Sequence, residues 1–268
     1  MNCDSHFHVF GAPERYAYAG DLRYKPPHAP LSAYRKEAKK FGIERFVFVQ
    51  PSAYGRDNAC MLDAMREVGA ERCRGIVDID ENASDAALER LHAAGVRGVR
   101  INVNPIKPPE PGFSKTMLPR IARMDARCAE FGWMLDFLTP GWLTRELMPT
   151  MARLKSPYSV AHMGMFLASE GVPHDFVAFV KANPGCWVKL TGVYRMSRTP
   201  GFGDAAPIAR ALIAAAPDRV IWGSDYPHLS FAGKVHTDEL FELLETWAPD
   251  ERSRRMILSD NPARCFGF

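Results

Sequence analysis

Eight short apolar runs alternate with amphipathic segments along this chain of 268 residues. Runs of this kind predict β-strands, and apolar residues at three-to-four spacing between them predict helices. The predicted strands cover 3–10, 44–50, 74–79, 96–103, 132–138, 158–163, 186–192 and 219–225, and helical segments cover 31–41, 57–69 and 84–95 among others. Eight strands that are each followed by a helix are typical of the closed (β/α)8 TIM barrel, an α/β fold.

An open, doubly wound sheet is the competing α/β fold for such an alternation. That fold usually carries a glycine-rich phosphate turn after its first strand, and "HVFGAPERY" at 8–16 supplies none. No Pro/Gly/Ser linker divides the chain, so we expect one domain over residues 1–268. The longest irregular stretches (9–30, 104–114 and 191–204) each follow a predicted strand. We therefore expect them at the C-terminal mouth of the barrel, where barrel active sites form.

The charge balance and the cysteine pattern limit the choice of partners and compartment. The chain has 34 Lys and Arg against 31 Asp and Glu, and this formal charge of +3 does not favour nucleic acid or an anionic membrane as a partner. Its six cysteines are dispersed without a CxxC pair, which is typical of reduced thiols. The sequence shows neither a secretory leader nor a run of about 20 apolar residues. These observations predict a cytoplasmic protein, a monomer or small homo-oligomer, that binds a small molecule.

Two histidines, His6 and His8, stand one residue apart in the first predicted strand. Side chains two apart on a strand point to the same face. Near the end of a first barrel strand that face is the interior of the mouth. A single histidine there would not indicate a site, since many buried histidines are structural residues whose hydrogen bonds are satisfied within the core. Two in HxH register indicate a functional site.

Further polar residues recur at the ends of the other predicted strands. Each has an ordinary explanation alone, such as a cap, a turn or a long side chain reaching solvent. Barrel geometry, however, brings all strand ends to one rim, where they form a plausible reaction centre. These residues are Ser52, Arg100, Asn102, His162, Thr191, Arg195 and Asp225.

A metal ion is one possible use of this set. A catalytic zinc needs three protein ligands and an open position, which His6, His8 and Asp225, with or without His162, would provide. A two-metal site would need a bridging Lys or Glu and a further histidine, and the fifth strand "GWMLDFL" has no histidine. A cation beside Arg100 would be repelled. The residues alone leave a mononuclear site open.

Four motifs, in order, carry a resemblance to a known family. "DSHFHVFG", "RGVRIN", "VAHMG" and "WGSDYPH" resemble the amidohydrolase superfamily, and most closely its lactonase branch, typified by 2-pyrone-4,6-dicarboxylate hydrolase. The resemblance runs from residue 3 to about 265 and implies a (β/α)8 barrel, in agreement with the strand count. It also implies hydrolysis of a lactone ring without a required metal.

The resemblance implies roles for four catalytic residues. His6, His8 and His162 would surround the scissile carbonyl and polarise it, and Asp225 would take the proton from the attacking water. Imidazoles aimed at a developing oxyanion can perform part of the task of a Lewis acid. A carboxylate serves as general base if its pKa suits the working pH.

The resemblance also implies substrate-binding residues. Arg100 and Arg195 match arginines that hold substrate carboxylates through paired hydrogen bonds. Tyr24 and Ser52 match residues that line the same pocket. His228 follows the base by three residues, and either it orients Asp225 or contacts substrate, or it is only a turn residue at the rim.

Two departures from the branch pattern concern substrate recognition. The branch has a second arginine after the "GVR" strand, where this chain offers only Lys107, and a lysine lacks the planar fork. The branch also has a tyrosine late in the fifth strand, where Asp136 or Leu138 falls here. The reaction type therefore transfers better than the substrate, and a sugar-acid lactone or a muconolactone is an alternative.

We therefore predict a hydrolase that opens the lactone ring of a small carboxylated substrate with no cofactor. The alternatives are a mononuclear zinc- or manganese-dependent amidohydrolase or decarboxylase, and a sugar-acid lactonase or lactone isomerase at the same site. A binding barrel without chemistry would be expected to have lost the base, and Asp225 is present.

Overall fold

The computed structural model describes residues 1–20, 22, 24–103 and 111–268. Eight parallel strands form one sheet in sequential order, β1 to β8. They are β1 (Asn2–Phe7), β2 (Ile43–Val49), β3 (Cys73–Val77), β4 (Val96–Asn102), β5 (Met134–Leu138), β6 (Tyr158–Val160), β7 (Cys186–Leu190) and β8 (Val220–Trp222). The predicted (β/α)8 barrel is confirmed.

A helix follows each strand and covers the outside of the barrel. These helices are α1 (Leu31–Lys40), α2 (Ala59–Val68), α3 (Asp85–Ala93), α4 (Phe113–Phe131), α5 (Gly141–Met151), α6 (His174–Ala182), α7 (Ala206–Ala215) and α8 (Thr237–Trp247). The chain ends with α9 (Glu251–Arg255), a π-helical turn (Met256–Asp260) and α10 (Asn261–Phe266). Among the described residues, no helix has both the length and the apolar character needed to cross a bilayer.

The strands are apolar on both faces. One face packs against the helices, and the other face lies in the interior of the barrel. Phe48, Val99 and Val188 are each no more than 1% exposed. The interior of the barrel departs from this pattern towards its C-terminal end. Here Asp136 and Lys189 are both completely buried, and a charged pair is retained in such a place only with compensating contacts.

The barrel closes where the end of β1 meets the segment that follows β8. The backbone N–H of Asp225 donates to the carbonyl of His6, and that of His8 donates to the carbonyl of Tyr226, each over 2.8 Å. Gly223 permits this approach, since a Cβ at that position would lie 2.7 Å from the Cβ of His6. The closure therefore brings the two ends of the chain into one site.

The buried carboxylate of Asp4 stabilises the same junction through hydrogen bonds. Its Oδ1 accepts hydrogen bonds from the backbone N–H groups of His6 and Ser224, each over 3.0 Å. Its Oδ2 accepts from the Tyr34 hydroxyl on α1, over 2.6 Å. Burial raises the pKa of the Asp4 carboxyl to about 6. One side chain thus connects β1, the segment after β8 and the first helix.

The Tyr34→Phe substitution should lower the free energy of unfolding by about 1.5–3 kcal/mol, because it leaves a buried carboxylate oxygen without its donor. Urea denaturation at pH 8, above the Asp4 pKa, measures the loss. Tyr158→Phe is the matched control. That tyrosine is equally buried, and its hydroxyl has no hydrogen-bond partner among the described residues. Equal losses in the two variants would contradict the anchoring role of Tyr34.

Candidate active site

A cavity opens at the C-terminal ends of the strands and gathers most of the residues that the sequence singles out. Its lining includes His8, Tyr24, Ser52, Arg100, Asn102, His162, Arg195 and Asp225. His6 lies directly beneath it and is 0% exposed. Strands far apart in the chain supply these side chains, and the barrel brings them to one place.

Asp225 lies at the centre of the histidines. Its Oδ1 is 3.6 Å from Nε2 of His6 and 3.5 Å from Nε2 of His8, while its Oδ2 is 3.9 Å from Nε2 of His162. The Oδ1 atom is buried and accepts no hydrogen bond from the described residues. This oxygen can therefore accept a hydrogen bond from a small molecule held among the three imidazoles.

The second carboxylate oxygen of Asp225 is fully engaged. Its Oδ2 accepts hydrogen bonds from the Tyr194 hydroxyl over 2.5 Å and from Nε of Arg195 over 3.1 Å. Burial alone would raise the pKa of Asp225, but the adjacent Arg195 charge and the hydrogen-bonding neighbours hold it well below its usual range. Asp225 is accordingly an anion at neutral pH.

Burial favours the neutral form of all three histidines. It lowers the pKa of His6 well below the usual value, lowers that of His8, and lowers that of His162 to about 3. In neutral His8, Nδ1 is the protonated nitrogen because it donates to the carbonyl of Val49 over 2.7 Å. The Nε2 atom of His8 is then a hydrogen-bond acceptor. Thr191, at Nδ1 of His162, can either donate or accept.

A buried lysine beneath His6 was not predicted from the sequence. Lys189 on β7 lies with its Nζ atom 3.3 Å from Nδ1 of His6 and 2.6 Å from Oδ1 of Asp136. The Ser159 hydroxyl donates to the same Asp136 oxygen over 2.6 Å. The available signal was a lysine inside the apolar strand "CWVKL", two residues before Thr191 and hence on the same face.

Arg100 and Arg195 both line the cavity, the first from β4 and the second from the turn after β7. NH1 of Arg100 donates to the carbonyl of Gln50 over 2.6 Å, and its Nε has no hydrogen-bond partner among the described residues. The Tyr24 hydroxyl accepts from the backbone N–H of Ala53 over 3.3 Å and so lies beside Ser52 at the mouth. Two guanidinium groups therefore face the space above Asp225.

Two predicted positions fall elsewhere, and a third is not described. Asp136 does not line the cavity but pairs with Lys189 below it, and Leu138 occupies the position on β5 that faces the cavity. His228 is not among the residues lining this cavity; its ring packs between Tyr194 and Tyr226, with Nε2 3.4 Å from Oγ1 of Thr237. Lys107 lies outside the described residues.

Left-handed backbone conformations mark two catalytic candidates. His162 and Asp225 have φ values of 52° and 55°, a region that non-glycine residues rarely adopt. Gly192 makes room beside the first of them, since a Cβ there would lie 2.4 Å from Nδ1 of His162. Such strain is concentrated at functional sites, where the surrounding structure maintains it.

Comparison with known proteins identifies the family of this chain. A sequence model described as amidohydrolase matches residues 3–268. This chain belongs to the amidohydrolase family. It is 37% identical to a 4-sulfomuconolactone hydrolase from Hydrogenophaga intermedia, over 98% of this chain and 88% of the relative. It is 31% identical to a 2-pyrone-4,6-dicarboxylate hydrolase from Comamonas testosteroni, over 98% and 89%.

A solved structure shares the whole fold. It is described as a probable 2-pyrone-4,6-dicarboxylic acid hydrolase from Acinetobacter baumannii with citric acid bound. The TM-score is 0.85 at 23% identity, and the match covers 100% of this chain and 99% of that one. The predicted resemblance to the lactonase branch of the amidohydrolase family is confirmed.

A mononuclear metal ion is the alternative that the sequence leaves open for these residues. His6, His162 and Asp225 offer ligand atoms within 4.8 Å of one another, the one such group of three found in the described part of the chain. The surroundings are unfavourable for a cation, because Lys189 contacts His6 and Arg195 contacts Asp225. The donor set fits poorly, because Nδ1 of His6 faces an ammonium group that has no lone pair to offer.

Removal of the Tyr194 hydroxyl should raise the pKa of Asp225, because the anion loses a donor. A hydrogen bond to a charged group contributes about 1.5–3 kcal/mol. In Tyr194→Phe the carboxyl carbon signal of Asp225, followed by ¹³C NMR, should therefore titrate at higher pH than in the unmodified protein. Tyr158→Phe should leave this titration unchanged. An unaltered titration in Tyr194→Phe would mean that its hydroxyl does not stabilise the carboxylate.

Proposed function

We propose that this hydrolase opens the ring of a small lactone bearing an anionic substituent, with Asp225 as the general base. By family the chain is a hydrolase of lactone esters. One observation carries the assignment of the base. The unpartnered Oδ1 of an ionised, buried carboxylate faces the imidazoles of His6 and His8, in a cavity that two guanidinium groups also line.

The attacking water is held by two acceptors. Oδ1 of Asp225 and Nε2 of His8 lie 3.5 Å apart, and neither has a proton to give. A water between them donates one hydrogen to each, which leaves its lone pair directed at the substrate. His8 thus binds the water, a role that differs from the carbonyl polarisation expected from the resemblance.

His6 and His162 act on the carbonyl. Their Nε2 atoms face Asp225 from two other strands, so that a carbonyl oxygen placed between them receives N–H donation as charge develops on it. Water adds to the carbonyl carbon while Asp225 takes its proton. The ring C–O bond then breaks, and the proton passes to the departing ring oxygen, so that one lactone and one water give one hydroxy or keto acid.

Arg100 and Arg195 select the anionic substituent. Guanidinium groups bind carboxylate and sulfonate oxygens by paired, charge-assisted hydrogen bonds. The two curated relatives are named for a sulfonated and a dicarboxylated lactone. The sulfomuconolactone hydrolase has the higher identity, and Leu138 replaces the tyrosine expected on β5. We therefore rank a sulfonated or carboxylated muconolactone alongside 2-pyrone-4,6-dicarboxylate.

Chelator-treated protein should hydrolyse at least one of three lactones: 4-sulfomuconolactone, 2-pyrone-4,6-dicarboxylate or a sugar-acid lactone. Ultraviolet absorbance follows the first two, and NMR identifies the products of all three. Ring-opened product without added metal supports the proposal. Turnover that requires zinc or manganese would favour the metal-dependent alternative, and a ring-shifted lactone as product would favour an isomerase.

Asp225→Asn should reduce kcat by about 10²–10⁴-fold, because the variant lacks the general base. Calorimetric binding of the same lactone should persist, since the histidines and arginines remain in place. Asp218→Asn, at a half-exposed carboxylate outside the cavity lining, is the matched control and should retain full activity. Undiminished kcat in Asp225→Asn would refute its role as the base.

A further inference from the structure

A buried group beneath His6 contacts one of the two ring nitrogens of this histidine and so determines which nitrogen carries the proton. Lys189 is 0% exposed and extends from β7 across the barrel interior to His6 on β1. Its Nζ atom contacts Oδ1 of Asp136 at 2.6 Å and Nδ1 of His6 at 3.3 Å. Each of the three groups comes from a different strand, so the contact depends on the closed barrel.

The ion pair fixes the charge of the lysine. Asp136 also accepts a hydrogen bond from Ser159, and Nε of Arg100 lies 4.0 Å from its other oxygen. Burial alone would raise the pKa of Asp136, but the charges of Lys189 and Arg100 lower it. Lys189 is the cationic partner of the ionised Asp136 in this ion pair, at 2.6 Å. An ammonium group has three donors and no acceptor.

We infer that Lys189 locks His6 in the Nε2–H tautomer, which makes His6 an N–H donor to the lactone carbonyl and unfit as a metal ligand. Nδ1 of His6 must accept from Lys189, so the single proton of the neutral imidazole resides on Nε2. This atom is the one that faces Asp225 and has no hydrogen-bond partner among the described residues. Lys189 is thus a positioning residue.

His8 provides the opposite case on the same strand end. Its Nδ1 donates to the carbonyl of Val49, which leaves the lone pair on Nε2. The two histidines of the HxH pair therefore present different groups to the cavity, a donor from His6 and an acceptor from His8. A metal ion would need lone pairs from both, since metal-binding histidines donate their other N–H to an acceptor.

The consequence for metal binding is specific. Within the described residues, the one group of three with ligand atoms within 4.8 Å includes His6. With its Nε2 protonated, that group offers only His162 and Asp225, and a catalytic zinc takes three protein ligands. The lysine therefore opposes metal binding in two ways. Its positive charge repels the ion, and it holds His6 in the tautomer whose Nε2 atom has no lone pair for the ion.

Histidine labelled with ¹⁵N gives a direct test on the unmodified protein. Two-bond ¹⁵N–¹H spectra distinguish a protonated ring nitrogen from one with a lone pair. His6→Gln and His8→Gln variants assign the signals. We expect protonated Nε2 in His6 and protonated Nδ1 in His8, in one sample. Protonated Nδ1 in His6, or a doubly protonated ring, would overturn the inference.

Zinc affinity provides the second test, with Lys189→Met/Asp136→Asn as the variant, since removing only the lysine would strand a buried carboxylate. The variant should bind zinc about 10–100-fold more tightly than the unmodified protein, the usual range for groups that orient a ligand. Asp218→Asn, at a half-exposed carboxylate outside the cavity lining, is the control and should leave the zinc affinity unchanged. Adding Asp225→Asn to the double variant should abolish the gain, which locates the ion. Equal affinity in the double variant and the unmodified protein would contradict the inference.

The role of His6 as donor to a lactone rests on the proposed function, but both measurements are independent of turnover. A protein that hydrolyses no lactone and still shows Nε2–H in His6 would refute the proposed function alone. Active protein with protonated Nδ1 in His6 would refute the inference alone. If the double variant does not fold, the NMR measurement on the unmodified protein decides.

Discussion

The two backbone hydrogen bonds that join the end of β1 to the segment after β8 govern the geometry of this site. They pair His6 with Asp225 and His8 with Tyr226, residues from opposite ends of the chain. The distances of 3.5 and 3.6 Å between the histidines and the base follow from this pairing. Closure of the barrel and assembly of the catalytic group are therefore one event, and Gly223 serves both by letting the two backbones approach.

The charge distribution around this junction suits an anionic substrate. Around the cavity itself, three cations lie against two anions, which is an excess of one positive charge that does not count Asp4 beneath the junction: Arg100, Arg195 and Lys189 against Asp136 and Asp225. In a buried cavity, water and salt screen such a charge only weakly, so it interacts strongly with an anion nearby. The same field stabilises the oxyanion that forms during ester hydrolysis and keeps Asp225 ionised. Substrate binding and catalysis thus both depend on the same excess of positive charge.

The sequence was sufficient for the barrel and for the residues that end its strands. Alternating patterns identify strands, and a barrel brings their ends together, so that the sequence alone predicts Arg100, His162 and Asp225 at one rim. Contacts below the rim were not accessible in this way. The partners of Lys189 lie on two other strands, and sequence periodicity says nothing about which side chains meet across the barrel interior. The sequence likewise does not show that His228, in the turn after Asp225, packs between Tyr194 and Tyr226 and is not among the residues that line the cavity.

The buried pair of Lys189 and Asp136 is difficult to explain by stability. Replacing a buried ion pair by well-packed apolar residues is often neutral or stabilises a protein by about 1–4 kcal/mol. Most of the other buried strand residues are apolar. What the pair supplies is a fixed proton position on His6, a property that apolar side chains cannot provide. A neutral imidazole has two tautomers of similar energy, and a site that needs a donor from one histidine and an acceptor from the next must bias both. Lys189 provides the bias for His6 and the carbonyl of Val49 provides it for His8.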